Sequence, residues 1–278
     1  MSRLLSCGQS TLALDRPRVV GVVNVTADSF SDGGLYLDTG KAIEHGLRLH
    51  EDGADLVDVG GESTRPGAIP IMQDEELRRV LSVVEALARK GVPVSVDTMK
   101  PEVMRAVINA GAVFVNDVNA FRDPAALAAV ASSDVAVCAM HMQGTPATMQ
   151  VNPRYDDVVA EVTAFLRGRS EALVAAGVAR SRIVLDPGFG FGKTLEHNLR
   201  LLNGLGAIAA LGYPVLAGLS RKRSIGDITG RPVTARAAGS VAAALLAVQN
   251  GASLVRVHDV KETVDALKVW LAVRDAGK

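Results

Sequence analysis

Eight short runs rich in β-branched and other apolar residues recur along the chain, at positions 19–24, 56–60, 92–97, 113–116, 135–141, 183–186, 215–220 and 253–258. Each is followed by a longer stretch with apolar residues at helical spacing, at 39–52, 73–90, 101–110, 124–131, 155–176, 195–205, 234–249 and 261–273. The short runs are apolar at consecutive positions, the pattern of strands covered on both faces. Strands joined by helices run parallel, and eight such units predict an α/β fold closed into a (β/α)8 TIM barrel, not an open doubly wound sheet. The punctuation agrees. Pro101 sits at a first-turn position, Asp123-Pro124 reads as an N-cap and first residue, and Gly53, Gly91, Gly111, Gly177 and Gly251 fall where helices stop. Residues 1–278 are read as one barrel domain, a length this fold accommodates.

Composition narrows the function classes. Thirty Lys and Arg balance thirty Asp and Glu, so no basic excess exists for nucleic-acid or membrane-surface binding. The apolar stretch from Ala237 to Val248 is too short to span a bilayer and ends at Gln249-Asn250. The run before Asp15-Arg16-Pro17-Arg18 is too short for a signal peptide, and a cytoplasmic protein is expected. Cys7 and Cys138 lack the spacing of a zinc site or a disulfide framework and are expected as free thiols.

The predicted strands end on polar residues: Asn24, Gly61-Glu62, Asp97, Asn116, His141, Asp186, Ser220 and His258. In a parallel barrel all these ends share the rim where active sites are built. Asp97, Asn116 and Asp186 would face one another across the mouth. Two carboxylates and an amide suit either a planar heterocycle with an amidine-like edge, as in guanine and pterin, or a divalent metal. Arg65, Lys222 and Arg256, with Arg221 and Arg223 beside Lys222, suit a phosphorylated substrate, although Arg221-Lys222-Arg223 equally describes a solvated loop. Loops at 31–34, 60–67 and 187–193 are Gly-rich, and the first two are long enough to act as lids. The string ending Gly192-Lys193-Thr194 suggests a phosphate-binding loop, but position 187, where that motif needs its first glycine, is Pro. His141 has no second histidine at metal spacing and is expected to orient or pack. No Ser-His-Asp arrangement and no strand lysine suited to a Schiff base is present.

Taken in order, the stretches from Asn24 to Gly34, Asp58 to Gly67, Ser95 to Thr98, Asn116 to Val118, Met140 to Gly144, Leu185 to Lys193, Ser220 to Lys222 and Arg256 to Val260 closely resemble the dihydropteroate synthase family. The likeness runs from about Val19 to the final helix, with one motif per strand. It implies a barrel that joins 6-hydroxymethyl-7,8-dihydropterin pyrophosphate to p-aminobenzoate in folate synthesis, releasing pyrophosphate, with sulfonamides as competitors and a homodimeric assembly. By resemblance, Asp97, Asn116, Asp186, Lys222 and Arg256 form the pterin pocket, and Asp97, Asp186, Lys222 and Arg256 carry catalysis. Asn24, Arg65, Arg256 and His258 match the pyrophosphate end, with Asn24 on Mg2+. Phe30, Thr64, Arg65, Pro66, Phe189, Ser220 and Lys222 match the surroundings of p-aminobenzoate, whose carboxylate is expected near Ser220 and the helix that follows.

Two departures stand out. Ala27 occupies a place where the family usually has Pro, which implies a first loop less rigid by up to about 1 kcal/mol. Arg223 replaces a small residue found in some members. A pterin-dependent methyltransferase would keep the Asp and Asn readers without needing Ser220-Arg221-Lys222 or the loops bearing Phe30 and Arg65. A non-catalytic paralogue would be expected to have lost Asp97, Lys222 or Arg256, and all three are present.

Overall fold

The computed structural model describes residues 4–25, 35–65 and 67–277, with side chains in the first helix described from Thr39 onward. A hairpin of β1 (Leu4–Cys7) and β2 (Ser10–Ala13) precedes the barrel. The alternation then runs β3 (Arg18–Asn24), α1 (Leu35–Glu51), β4 (Leu56–Gly60), α2 (Gln73–Arg89), β5 (Val94–Asp97), α3 (Pro101–Asn109), β6 (Phe114–Asp117) and α4 (Pro124–Ala131). It continues through β7 (Ala136–Met140), α5 (Val158–Ala175), β8 (Ile183–Asp186), α6 (Leu195–Asn203), α7 (Gly206–Ala209) and β9 (Leu216–Ala217). Finally come α8 (Arg223–Thr229), α9 (Ala237–Gln249), β10 (Leu254–Val257) and α10 (Val260–Ala276).

The eight strands β3–β10 pair in parallel in the order β8-β7-β6-β5-β4-β3-β10-β9, and a parallel bridge from Leu185 to Val215 closes the ring. The eightfold alternation expected from sequence is therefore observed. Strands β5 and β9 are shorter than their apolar runs: Pro93 has no N–H to give the ladder, and beyond Ala217 the chain turns so that Lys222 N bonds Leu219 O at 3.3 Å. Helix signals hold locally. Pro101 opens α3, Asp123 caps α4 by accepting from Ala125 N, and the five glycines expected at helix ends all adopt positive φ.

Period-two alternation divides each strand between core and lumen. Val19, Val23, Val57, Val59, Val94, Val96, Val255 and Val257 pack outward against the helices of one half of the barrel, and Val115, Val137, Ile183, Leu185 and Val215 do so in the other. The intervening residues Val20, Leu56, Phe114, Ala136, Cys138, Val184, Leu216 and Leu254 form an inner layer, against which Leu5 and Cys7 of the hairpin are buried. The hairpin thus stoppers the end of the barrel where the strands begin. Two positions further along the same inward register lie Asp58, Asn116, Asp186 and Arg256, so the lumen changes from apolar to charged toward the rim. Cys7 and Cys138 are both buried and unpaired, and no described helix is long and apolar enough to cross a membrane.

Candidate active site

Neighbouring strands place the predicted rim residues in register: Asn24 beside Gly60, Gly60 beside Asp97, Asp97 beside Asn116, and Met140 beside Asp186. Asp97 Oδ1 and Asn116 Oδ1 are both buried and neither has a hydrogen-bond partner within the described residues. A buried acceptor without a donor is costly, so this pair of oxygens calls for donors from beyond the described residues.

Arg256 rises from β10 and spans two carboxylates, Nε to Asp58 Oδ2 at 2.6 Å and Nη2 to Asp97 Oδ2 at 3.2 Å. Asp58 is 1% exposed and its other oxygen accepts from Ser95 Oγ at 2.5 Å. Burial raises the Asp97 pKa, Arg256 opposes this, and Asp58 adds to it; the result is about 7. Burial alone would lower the pKa of Arg256, but Asp58 and Asp97 outweigh it and raise it, so the guanidinium stays charged. Sequence reasoning did not select Asp58. The signal was a lone Asp at an inward position within the apolar run Leu56–Gly60. The guanidinium thus neutralises part of the negative charge at this end of the mouth. No group of three or more His, Cys, Asp or Glu suited to a metal occurs among the described residues.

Asp186 is 4% exposed; its Oδ1 accepts from Gly188 N at 2.7 Å, and burial raises its pKa against the opposing pull of Lys222. Gly188 is obligatory here: its φ is +66°, and a Cβ would stand 1.9 Å from the His141 carbonyl oxygen. Lys222 donates to the Phe189 carbonyl and lies over the Phe191 ring, 4.7 Å from its centroid. Burial lowers the Lys222 pKa to about 8, with Asp186 opposing. Phe189 offers the mouth its carbonyl, since its ring is 1% exposed within the outer core. The ring under Lys222 belongs to Phe191, and in a string of alternating Gly and Phe the sequence could not say which ring turns inward.

Ser220 and His258 meet at the ends of neighbouring strands. Ser220 Oγ accepts from His258 N at 3.1 Å and lies 3.1 Å from His258 Nδ1. The hydroxyl and Nδ1 share one hydrogen bond, in which either atom can be the donor. Burial, then Arg256, lowers the His258 pKa to about 4, so the ring is neutral. Arg65, an exposed residue of the loop after β4, is close enough to add its charge to this effect. Thr64 lies beside it, half-buried. Phe30, Pro66 and Ala27 lie outside the described residues.

The other two cations of the 221–223 run do not face the mouth. Arg221 is paired with Asp259, Nη2 to Oδ1 at 2.5 Å, and holds a left-handed φ of +56° while its N–H bonds Ser240 Oγ and its carbonyl accepts from Arg236. Arg223 is almost fully exposed beside Asp227. As for a divalent cation, Asn24 brings one neutral oxygen to the rim. Among the described residues, a hard cation there would need its remaining ligands from phosphate oxygens and water.

Residues 20–258 match the family described as pterin binding enzyme. A dihydropteroate synthase of Neisseria meningitidis serogroup C is 49% identical over 271 residues, covering 96% of each chain. The structure of a Xanthomonas albilineans dihydropteroate synthase with 4-aminobenzoic acid superimposes with a TM-score of 0.94 at 57% identity, covering 99% of both chains. The same organism's enzyme in complex with 7,8-dihydropteroate gives a TM-score of 0.89 at 55% identity over 98% of both. With a closed barrel, a charged rim and likeness over nearly its full length, the chain belongs to the pterin-binding enzymes and, among them, to the dihydropteroate synthase family.

Proposed function

We propose that this chain condenses 6-hydroxymethyl-7,8-dihydropterin pyrophosphate with p-aminobenzoate to give 7,8-dihydropteroate and pyrophosphate. The observation that carries the reading is the pair of unpartnered buried oxygens on Asp97 and Asn116. An aminopyrimidine edge presents N–H donors that such acceptors require, and Asp186 completes a set of acceptors for it. Lys222 donates to the polar atoms of the ring, and the Phe191 ring beneath it supplies an apolar wall.

In this reading the C–O bond to pyrophosphate breaks first, and the electron pair leaves with the pyrophosphate. Arg256, and at the outer end Arg65 and the neutral His258, meet the charge that grows on the leaving group. The carboxylates at 97 and 186 stabilise the cationic methylene left behind. The amine of p-aminobenzoate, held by Thr64, Arg65, Ser220 and the Lys222 end of the pocket, attacks it, forms the C–N bond and releases a proton to pyrophosphate or solvent. A neutral aniline needs no strong base, in keeping with a rim that holds no activated nucleophile among its described residues. Asn24 would contribute one oxygen to a Mg2+ ion carried by the pyrophosphate, and such an ion would add Lewis-acid stabilisation of the leaving group. A homodimer is the expected assembly, and sulfonamides are expected to compete with p-aminobenzoate.

The test is pyrophosphate release by the purified protein given the dihydropterin substrate and Mg2+, with and without p-aminobenzoate. Release that depends on p-aminobenzoate and matches dihydropteroate formation supports the reading. Tight pterin binding without release favours a non-catalytic paralogue instead.

A further inference from the structure

The lysine of the Gly192-Lys193-Thr194 string is used by none of the steps above, yet it is among the most buried charged groups of the fold. Lys193 is 3% exposed. Its Nζ donates to the Gly188 carbonyl at 2.9 Å and the Phe191 carbonyl at 3.0 Å, and lies 2.9 Å from His141 Nδ1. Burial lowers its pKa to about 7, with Asp186 opposing, and below that pH the three hydrogens of the ammonium match these three acceptors. The lysine of a phosphate loop reaches out to its ligand; this one turns back and gathers the carbonyls of its own loop around itself.

That loop touches both neighbouring reading groups. The Gly188 N–H holds Asp186 Oδ1, and the Phe189 carbonyl receives Lys222 Nζ. Lys193 and Lys222 therefore take different carbonyls of the same turn: Gly188 and Phe191 go to one, Phe189 to the other. Tyr155 and Gln150 fix the remaining two, on Gly192 and Gly190. We propose that Lys193 is a positioning residue for the pterin-reading edge, acting through the 188–191 turn to set the Gly188 N–H on Asp186 and the Phe189 carbonyl on Lys222. Its charge also reaches Asp186 directly, alongside Lys222 from the loop after β9 and Arg256 from β10, and all three favour the ionised carboxylate. His141, at the end of the neighbouring strand β7, is the third point of attachment. Burial, and then Lys193, lowers its pKa to about 3, so it is a neutral acceptor.

The inference rests on the pterin reading of the site, and the test separates the two. Binding of unreactive 6-hydroxymethylpterin is measured by fluorescence as a function of pH, together with p-aminobenzoate-dependent pyrophosphate release, for wild type, Lys193→Met and His141→Leu. The expected result is about tenfold weaker pterin binding for folded Lys193→Met, the scale of one hydrogen bond to a charged group. The acid limb of binding should also move to higher pH, because Asp186 has lost a supporting cation, while KM for p-aminobenzoate changes little. A clip that merely stiffens the loop would leave the acid limb in place. Should Lys193→Met fail to fold, His141→Leu, which removes one acceptor of three, is expected to move affinity and acid limb in the same direction by a smaller factor, and His141→Asn to restore part of the change. Wild-type protein that does not bind the pterin removes the underlying reading. Wild-type binding with an unmoved acid limb and affinity in the folded variants overturns the role of Lys193 alone.

Discussion

Replacing Asp97 by Asn separates what the site requires from what the fold requires. Two buried carboxylates, Asp58 and Asp97, share the single guanidinium of Arg256, and burial, opposed by Arg256 and reinforced by Asp58, lifts the Asp97 pKa from 3.8 to about 7. Below about pH 4 Asp97 is protonated whether the chain is folded or not, and its ionisation contributes nothing. Between about pH 4 and 7 the unfolded chain gives up the proton and the folded chain keeps it, so stability falls as pH rises; above about 7 the whole loss is in place. At 1.36 kcal/mol per pKa unit the full loss is roughly 4 kcal/mol. Asparagine has no such ionisation and leaves Arg256 matched one-to-one with Asp58. Asp97→Asn is therefore expected to be about as stable as wild type near pH 4 and more stable by a few kcal/mol near pH 8. Activity should move the opposite way. One amide oxygen cannot both hold Arg256 Nη2 and accept from the pterin, and the lost charge-assisted bond is worth about 1.5–3 kcal/mol, a fall of about ten- to a hundredfold in kcat/KM. The condensation step should suffer more than binding of the pterin pyrophosphate, since the charge is most needed by the cation formed in the transition state. Urea unfolding across this pH range, beside single-turnover product formation and pterin pyrophosphate binding, provides the measurement. A variant less stable than wild type at pH 8, a stability gain that does not grow with pH, or equal losses in binding and turnover would refute the argument.

A basic limb in kcat/KM is expected near pH 8, where Lys222 loses its proton, because burial lowers its pKa. In Lys222→Arg, slower but permanently charged, that limb should flatten, and a pH–rate profile of both proteins checks it. Gly188→Ala should not yield soluble folded protein, given a Cβ 1.9 Å from the His141 carbonyl and a φ of +66°, whereas Gly67→Ala, also left-handed at +78° but with no described atom within 4 Å, should cost only about 1–2 kcal/mol in thermal unfolding.

The barrel was legible because each strand carries its own run of apolar residues and each helix its own stop signal, both local properties of the chain. The rim was legible for the same reason: Asp97, Asn116 and Asp186 are the last residues, or next to last, of short apolar runs, where parallel strands must all surface together. The hairpin escaped notice because four-residue strands closed by a turn at Gly8 carry too little alternation to stand out. Helix α8 escaped because its seven residues are too few to show a helical period, and its buried Gly226 packs under the guanidinium of Arg236, ten residues further along the chain. Asp58 and Lys193 illustrate a different limit. Both were visible as residues, but their partners Arg256 and His141 come from other strands, and only closure of the ring brings them together.

The hairpin beneath the barrel makes the molecule a cup with one door. Leu5 and Cys7 fill the end where the strands begin, so nothing passes through, and every molecule that enters must leave over the rim it crossed. Traffic in such a vessel is stacked. On the proposed function, an occupant seated on the β5, β6 and β8 ends would be loaded before the reactant held by Thr64 and Arg65. Water displaced from the floor would then escape past the same side chains that receive the second reactant in that reading. The floor is thus closed twice, by the inner layer of the barrel and by the four residues of β1 beneath it.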